Sequence, residues 1–248
     1  MGKKLRVQRA GKGSPTFKAA KKGRISPVKY PPPAPFKVTG VLKDLVHESG
    51  RGAPLAYVEL DVGNGFYSSA AEGVHIGQRV EMGPEAVVSV GNILPVGAIP
   101  EGTMVCNIEL RPGDGGRVAR SSGTYGTVVS RTMSGTTVNL PSKRSIELSN
   151  SCRATVGIVA GGGRREKPFM KAGEKFFLKR AKGQVYPKTK GVSMAAASHP
   201  HGGGRHRRPG KSTTVSRRSP PGKKVGLIAA RSSGKKKRQR RKDRARRS

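Results

Sequence analysis

Acidic side chains are scarce in this chain. Fourteen Asp and Glu stand against fifty Lys and Arg over 248 residues, a formal net charge of +36. Unpaired like charges repel and disfavour compaction, which argues against a self-contained enzyme and for a polyanionic partner, usually a phosphate backbone. Aromatics are sparse as well: tryptophan is absent and Phe, Tyr and Trp together make up 4%. That is too few for the stacking platforms of a single-strand binder, each worth roughly 1–3 kcal/mol. Phe66-Tyr67 is the one adjacent pair in the first strand set, and it reads as core. Basic, glycine-rich arms favour phosphate and shape contacts with a folded RNA instead. The only cysteines are Cys106 and Cys152, without a CxxC spacing. They read as buried free thiols in a reducing compartment rather than as a disulfide. No window approaches eighteen apolar residues and no apolar stretch follows Met1, so neither a membrane span nor a secretory signal is expected.

The charge that is present is unevenly spread. Residues 1–35 carry ten Lys/Arg and no acid, residues 36–163 carry eleven of each sign, and residues 164–248 carry twenty-nine against three. The expected organisation is a neutral body between two basic extensions. A stiff run, Tyr30-Pro31-Pro32-Pro33-Ala34-Pro35, closes the first extension. Glycine and proline, 35 and 18 residues, argue against long helices.

Within the body, short β-branched runs are punctuated by glycine turns. Strands are expected at 37–46, 56–61, 66–70 and 78–81, with 86–90 closing a small barrel for which the OB type is the commonest design. Residues 91–97 read as a linker. A second set at 104–110, 117–119, 124–132, 136–140, 145–148 and 154–159 suits a second small barrel, SH3-like by strand count, which pattern alone does not separate from another OB barrel. Residues 173–182 suit a short basic helix. The expected fold is therefore mainly β, two small barrels with long basic N- and C-terminal extensions. The segments are 1–35, 36–92, 93–185 (including the helix) and 186–248.

Catalytic motifs are wanting. Gly210-Lys211-Ser212 resembles the end of a P-loop, but the required glycine five residues earlier is Arg205, and neither a strand before nor a helix after is in place. His199, His201 and His206 form the only dense histidine cluster, and three imidazoles can hold zinc. The neighbouring Arg205, Arg207 and Arg208 repel a cation, and the glycine run gives no rigid frame. Nucleic-acid contact is the better reading, since glycines permit close backbone approach and arginines fork onto phosphates. Two alternatives stay open at this point: a basic DNA-compacting protein, and a metal-dependent enzyme using the 199–206 histidines.

Several motifs, in order, carry a resemblance. They include Gly50-Arg51-Gly52-Ala53-Pro54-Leu55-Ala56, Ala70-Ala71-Glu72-Gly73 and the stretch 91–103 (GNILPVGAIPEGT). Further on come Pro112-Gly113-Asp114-Gly115-Gly116, Ala119-Arg120-Ser121-Ser122-Gly123-Thr124-Tyr125 and Ala160-Gly161-Gly162-Gly163-Arg164. The last are His199-Pro200-His201-Gly202-Gly203-Gly204 and Lys224-Val225-Gly226-Leu227-Ile228-Ala229-Ala230-Arg231. Nearly the whole chain resembles the universal large-subunit ribosomal protein L two family in its archaeal or eukaryotic form. The resemblance implies an OB barrel followed by an SH3-like barrel, docked on large-subunit rRNA near the peptidyl transferase region, with roles in assembly, subunit association and tRNA placement. It also implies neighbouring ribosomal proteins and the small subunit as partners, a cytoplasmic location, and no catalysis, small-molecule substrate or membrane. No cofactor of the protein is expected, any magnesium being held by the rRNA. The His-Pro-His-Gly-Gly-Gly loop would come closest to the reaction centre. Where the family usually has Asp before this loop, the chain has Ser198. Expected rRNA contacts are Lys3, Lys4, Arg6 and Arg9 in the first extension, and Arg117, Arg120, Arg164, Arg165, Lys179 and Arg180 in the middle. In the loop and beyond they are His199, His201, Gly202, Gly203, Gly204, Arg205, His206, Arg207, Arg208, Lys211, Arg217, Arg218, Lys223, Lys224 and Arg231.

Overall fold

The computed structural model describes residues 2–230 and is mainly β. Its contacts group the chain in space into two units, residues 20–174 and residues 1–19 with 175–248, a grouping that cuts across the four segments drawn along the sequence.

Residues 20–174 hold one ten-stranded sheet. Its strands are β1 (Val38–Val46), β2 (Leu55–Leu60), β3 (Gly65–Ser69), β4 (Arg79–Met82), β5 (Ile93–Pro95), β6 (Met104–Cys106), β7 (Gly126–Arg131), β8 (Thr136–Asn139), β9 (Ser145–Leu148) and β10 (Arg153–Val156). They lie in the order β3-β2-β1-β4-β5-β10-β6-β7-β8-β9. Every pairing is antiparallel except β4 with β5, which meet in parallel at Met82 and Ile93. The short strands and glycine turns expected from the sequence are present, with four differences, the first being that the strand expected over 104–110 ends at Cys106, where Asn107 turns to φ 48. Residues 86–90 form no strand: Ala86 is buried but Val87, Val88 and Val90 are exposed, and the Val87 N–H is taken by the Glu81 carboxylate at 2.8 Å. Residues 117–119 contribute one bridge, Ile108 to Val118, because Ala119 turns to φ 52 and Gly115 and Gly116 before it are also left-handed. The expected linker 91–97 contains β5 instead.

That strand explains how the sheet is joined. Consecutive strand side chains point to opposite faces, and β5 places Ile93 among Tyr30, Leu42, Val58, Phe66, Val80 and Met82 while Leu94 enters a second cluster with Val96, Ile99, Val105, Ile108, Val128, Val138 and Ala154. One strand thus serves two hydrophobic cores.

The N-terminal proline run is fastened to this body. Lys29 and Tyr30 donate backbone N–H groups to Tyr67 and Gly115, and the Tyr30 hydroxyl donates to the Asn107 carbonyl at 2.8 Å while lying 2.6 Å from Thr155 Oγ1. Burial raises the Tyr30 phenol well above its usual range. Beside it runs a buried ion pair. Arg153 Nη2 contacts Glu109 Oε1 at 2.8 Å, the side chains being 5% and 0% exposed. The carboxylate also accepts from the Arg153 and Gly115 amides, each at 2.9 Å. The guanidinium donates to the Pro31 carbonyl at 2.9 Å and lies 5.4 Å from the Tyr30 ring centroid. Burial alone would push Glu109 up; the Arg153 side chain and the two amides outweigh it and hold the carboxyl below its usual range.

The other unit has little regular structure. It contains α1 (Arg6–Gly11), most of α2 (Ala172–Ala181), and the two-residue strands β11 (Thr214–Val215) and β12 (Leu227–Ile228), paired in parallel. The sequence pattern shows α2 but not α1, which is six residues long and has no apolar stripe. Among its described residues Leu5 alone is buried. No helix of the described residues is long and apolar enough to cross a membrane. Cys106 and Cys152 are buried and free, and burial pushes the Cys106 thiol up to about 12, so it stays protonated and unreactive.

Candidate nucleic-acid interface

Charge also divides unevenly between the two units. Residues 1–19 and 175–248 together carry thirty-one Lys/Arg and one acid, Asp243, whereas residues 20–174 carry nineteen against thirteen. The described residues of the cation-rich unit bury one side chain, Leu5, so apolar burial offsets little of the entropy of ordering them.

On the body, glycine contacts position the arginines. Gly123 (φ 68) lies so near Gly162 that a Cβ would fall 2.8 Å from its Cα, and a Cβ on Gly52 (φ 87) would strike the Arg164 guanidinium. Backbone is therefore packed where a side chain would not fit, and Arg164 crosses Gly52 with its Nε donating to Ser122 Oγ at 3.2 Å. Arg120 is fixed by donations to the Gly116 carbonyl at 3.0 Å and the Val28 carbonyl at 2.8 Å. Its pKa is lowered first by burial and then by repulsion from Arg51, with Arg117 adding to it. Arg51 is held by the buried Glu48, Nε to Oε2 at 2.6 Å. Like charges brought together in this way are stabilised by an anion placed among them. Arg117 and Arg165 are exposed.

In the other unit the histidine loop is a closed turn. The Gly202 N–H donates to the His199 carbonyl at 2.8 Å, the Gly203 N–H to the Met194 carbonyl at 2.9 Å, and the His199 N–H to the Ala195 carbonyl at 3.2 Å. The His201 N–H donates to His199 Nδ1 at 3.0 Å, and the two rings meet edge-on with centroids 5.3 Å apart. With Nδ1 an acceptor, the His199 proton sits on Nε2. Burial, then the neighbouring His201, lowers the His199 pKa, so the ring is neutral at pH 7. A Cβ on Gly202 would fall 2.5 Å from the carbonyl oxygens of both Met194 and Ala195, while Gly203 and Gly204 are left-handed at φ 76 and 85. His206, Arg205, Arg207, Arg208, Lys211, Arg217, Arg218 and Lys223 are exposed, as are Lys3, Lys4, Arg9 and Arg180; Arg6, Lys224 and Lys179 are half-buried. Lys179 donates to Gln184 at 2.9 Å. Arg231 lies outside the described residues.

The three histidines do not converge, and no cluster of three His, Cys, Asp or Glu suited to a metal occurs among the described residues. The metal-enzyme alternative thereby loses its geometric basis. Missed by sequence reasoning are Leu5, Lys188 and Lys190, which share a pocket with His199 and His201. No periodicity links segments 180 residues apart, so no sequence signal marks these residues.

Residues 89–224, more than half of the chain, match the family model described as Ribosomal Proteins L2, C-terminal domain. The chain is thus of the ribosomal protein class. Three similar archaeal proteins are each named large ribosomal subunit protein uL2. That of Caldivirga maquilingensis is 51% identical over 214 residues, covering 85% of this chain and 84% of its own. Those of Hyperthermus butylicus and Desulfurococcus amylolyticus are each 52% identical, covering 84% and 85% of this chain and 88% and 89% of theirs. The chain belongs to the uL2 family of ribosomal proteins, which are structural and not enzymes.

Proposed function

We propose that the chain is a structural constituent of the large ribosomal subunit in the cytoplasm. In this reading it binds large-subunit rRNA and supports assembly, subunit association and tRNA placement near the peptidyl transferase centre, beside neighbouring ribosomal proteins and the small subunit. The observation that carries the reading is the unit of residues 1–19 and 175–248, rich in cations and poor in core, which gains order by neutralising phosphates. Family membership and the two hydrophobic clusters support an OB barrel over 36–92 and an SH3-like barrel within 93–185, with basic extensions at 1–35 and 186–248. Magnesium enters only as ions of the rRNA. In lysate, the chain should sediment with a large particle that RNase dissolves and DNase leaves intact. Release by DNase instead would favour the DNA-compacting alternative.

The histidine loop positions RNA in this reading and does not transfer protons. His199 is neutral and holds the His201 amide, and Ser198 supplies no carboxylate. Single-turnover peptide transfer by well-assembled His201→Ala particles should therefore stay within about tenfold of wild type across pH, below the roughly 10²–10⁴-fold of general acid–base catalysis. Gly202→Val should be the more damaging change, appearing as failed particle assembly, because its side chain collides with two carbonyls. A loss above a hundredfold in His201→Ala, with an ionisation missing from the pH profile, would overturn the positioning role.

A further inference from the structure

A pocket of about 460 Å³ opens within the unit of residues 1–19 and 175–248, between the start of α1, the stretch 188–201 and the stretch 224–228. Its wall is of two kinds. Leu5 and Met194 are apolar; Arg6, Lys190 and Lys224 are cationic; His201 lies between the two kinds in chemistry. Leu5 is 5% exposed and is fixed by its amide, which donates to Gln8 Oε1 at 2.8 Å. The Arg6 Nη1 is buried without a hydrogen-bond partner. A charged donor in that state is costly and calls for an acceptor. This unit has none of the usual kind to offer: its described residues include no Asp or Glu.

The occupant is constrained by this lining. Several cations and no carboxylate require an anion. The volume falls in the range of roughly 300–1,000 Å³ found for small-molecule sites and exceeds what a phosphate alone requires. The apolar wall and the imidazole suit a flat ring, and RNA-binding proteins take splayed bases on histidine as on other rings. Building on the rRNA-binding reading, we propose that this pocket receives one unstacked rRNA nucleotide, its phosphate on Arg6 and Lys224 and its base against Leu5, Met194 and His201. Residues 5–7 and 188–228 then close on a single nucleotide, which makes the pocket a sequence-separated clamp rather than a further stretch of diffuse positive charge.

Ultraviolet crosslinking of native large subunits, read by mass spectrometry, tests this. Peptides spanning 190–201 should carry one nucleotide at a fixed rRNA position, and chemical probing should show that base protected. In Arg6→Gln/Lys224→Gln particles the protection should fall by at least about tenfold, equivalent to about 1.4 kcal/mol. Met194→Trp, which fills the pocket without changing charge, should expose the same base and covers the case in which the charge variant fails to assemble. Crosslinks of these peptides to many positions, to paired nucleotides or to another protein would overturn the proposal, as would unchanged protection in both variants. Peptides containing Arg205, Arg207 and Arg208 separate this from the wider reading: if they crosslink to rRNA while the pocket does not, only the clamp fails.

Discussion

Between 50 and 200 mM salt the full chain should lose about 10³–10⁵ in affinity for a large-subunit rRNA fragment, the range expected for a protein that neutralises 6–10 phosphates. A chain trimmed to residues 20–174 should lose less than about tenfold over the same interval, since few phosphate contacts remain to release counterions. The contrast follows from charge: the trimmed chain keeps nineteen Lys/Arg against thirteen acids, while thirty-one of the fifty cations leave with the segments removed. Filter binding across a salt series gives both slopes. Equal slopes would show that the body, through Arg51, Arg120 and Arg164, dominates the electrostatic term.

Replacing Glu109 by Gln should destabilise the folded body by about 3–5 kcal/mol, the range for leaving one partner of a buried ion pair uncompensated. Arg153 would keep its charge at 4% exposure with the Pro31 carbonyl, the Tyr30 ring and Met82 Sδ among its remaining neighbours. Against the ~5–15 kcal/mol stability of ordinary domains this is a large fraction. Urea denaturation of the full chain measures it, and the double change Glu109→Leu/Arg153→Met should recover much of the loss, because a hydrophobic pair of similar volume is often neutral. The pH dependence has a defined sign. Folding lowers the Glu109 pKa, so the ion pair contributes its full stability above the unfolded value of roughly 4.3 and loses it as pH falls through the lower folded value. The gap between wild type and Glu109→Gln should be widest at neutral pH and narrow below about pH 4. A gap that widened in acid would rule out Glu109 as an ionised partner.

What could be read from sequence was local. β9 is found where alternation in Ser-Ile-Glu-Leu places it, and β1 where a β-branched run lies between the proline run ending at Pro35 and the Gly50-Arg51-Gly52 turn. β5 was hidden because Ile93-Leu94-Pro95 is flanked by Gly91 and Gly97 and ends in a residue that cannot donate to a ladder. Its two apolar residues serve different cores, so neither period is visible in so short a run. Arg117 to Ala119 has strand composition, but three left-handed residues at 115, 116 and 119 bend it away. For the candidate site, charge and glycine singled out the residues expected to meet RNA; most of the described cations among them are exposed, while Arg6, Arg120, Lys179 and Lys224 are half-buried. The ion pair of Glu109 and Arg153 joins residues 44 apart in sequence, and the pocket joins residue 5 to residue 228. Partners so distant leave no periodic trace in a basic, low-complexity background.

The gathering of residues 1–19 with residues 175–248 has a consequence for synthesis. The first of these segments emerges from the translating ribosome 155 residues ahead of the start of the second. At 5–20 residues per second that is roughly 8–30 s, during which six cations and no acid hang on a nascent chain whose structural complement has not yet been made. Vectorial production therefore works against this topology. The sheet can form while the chain is growing, but the leading segment carries its charge without its complement until residues 175 and beyond have been made.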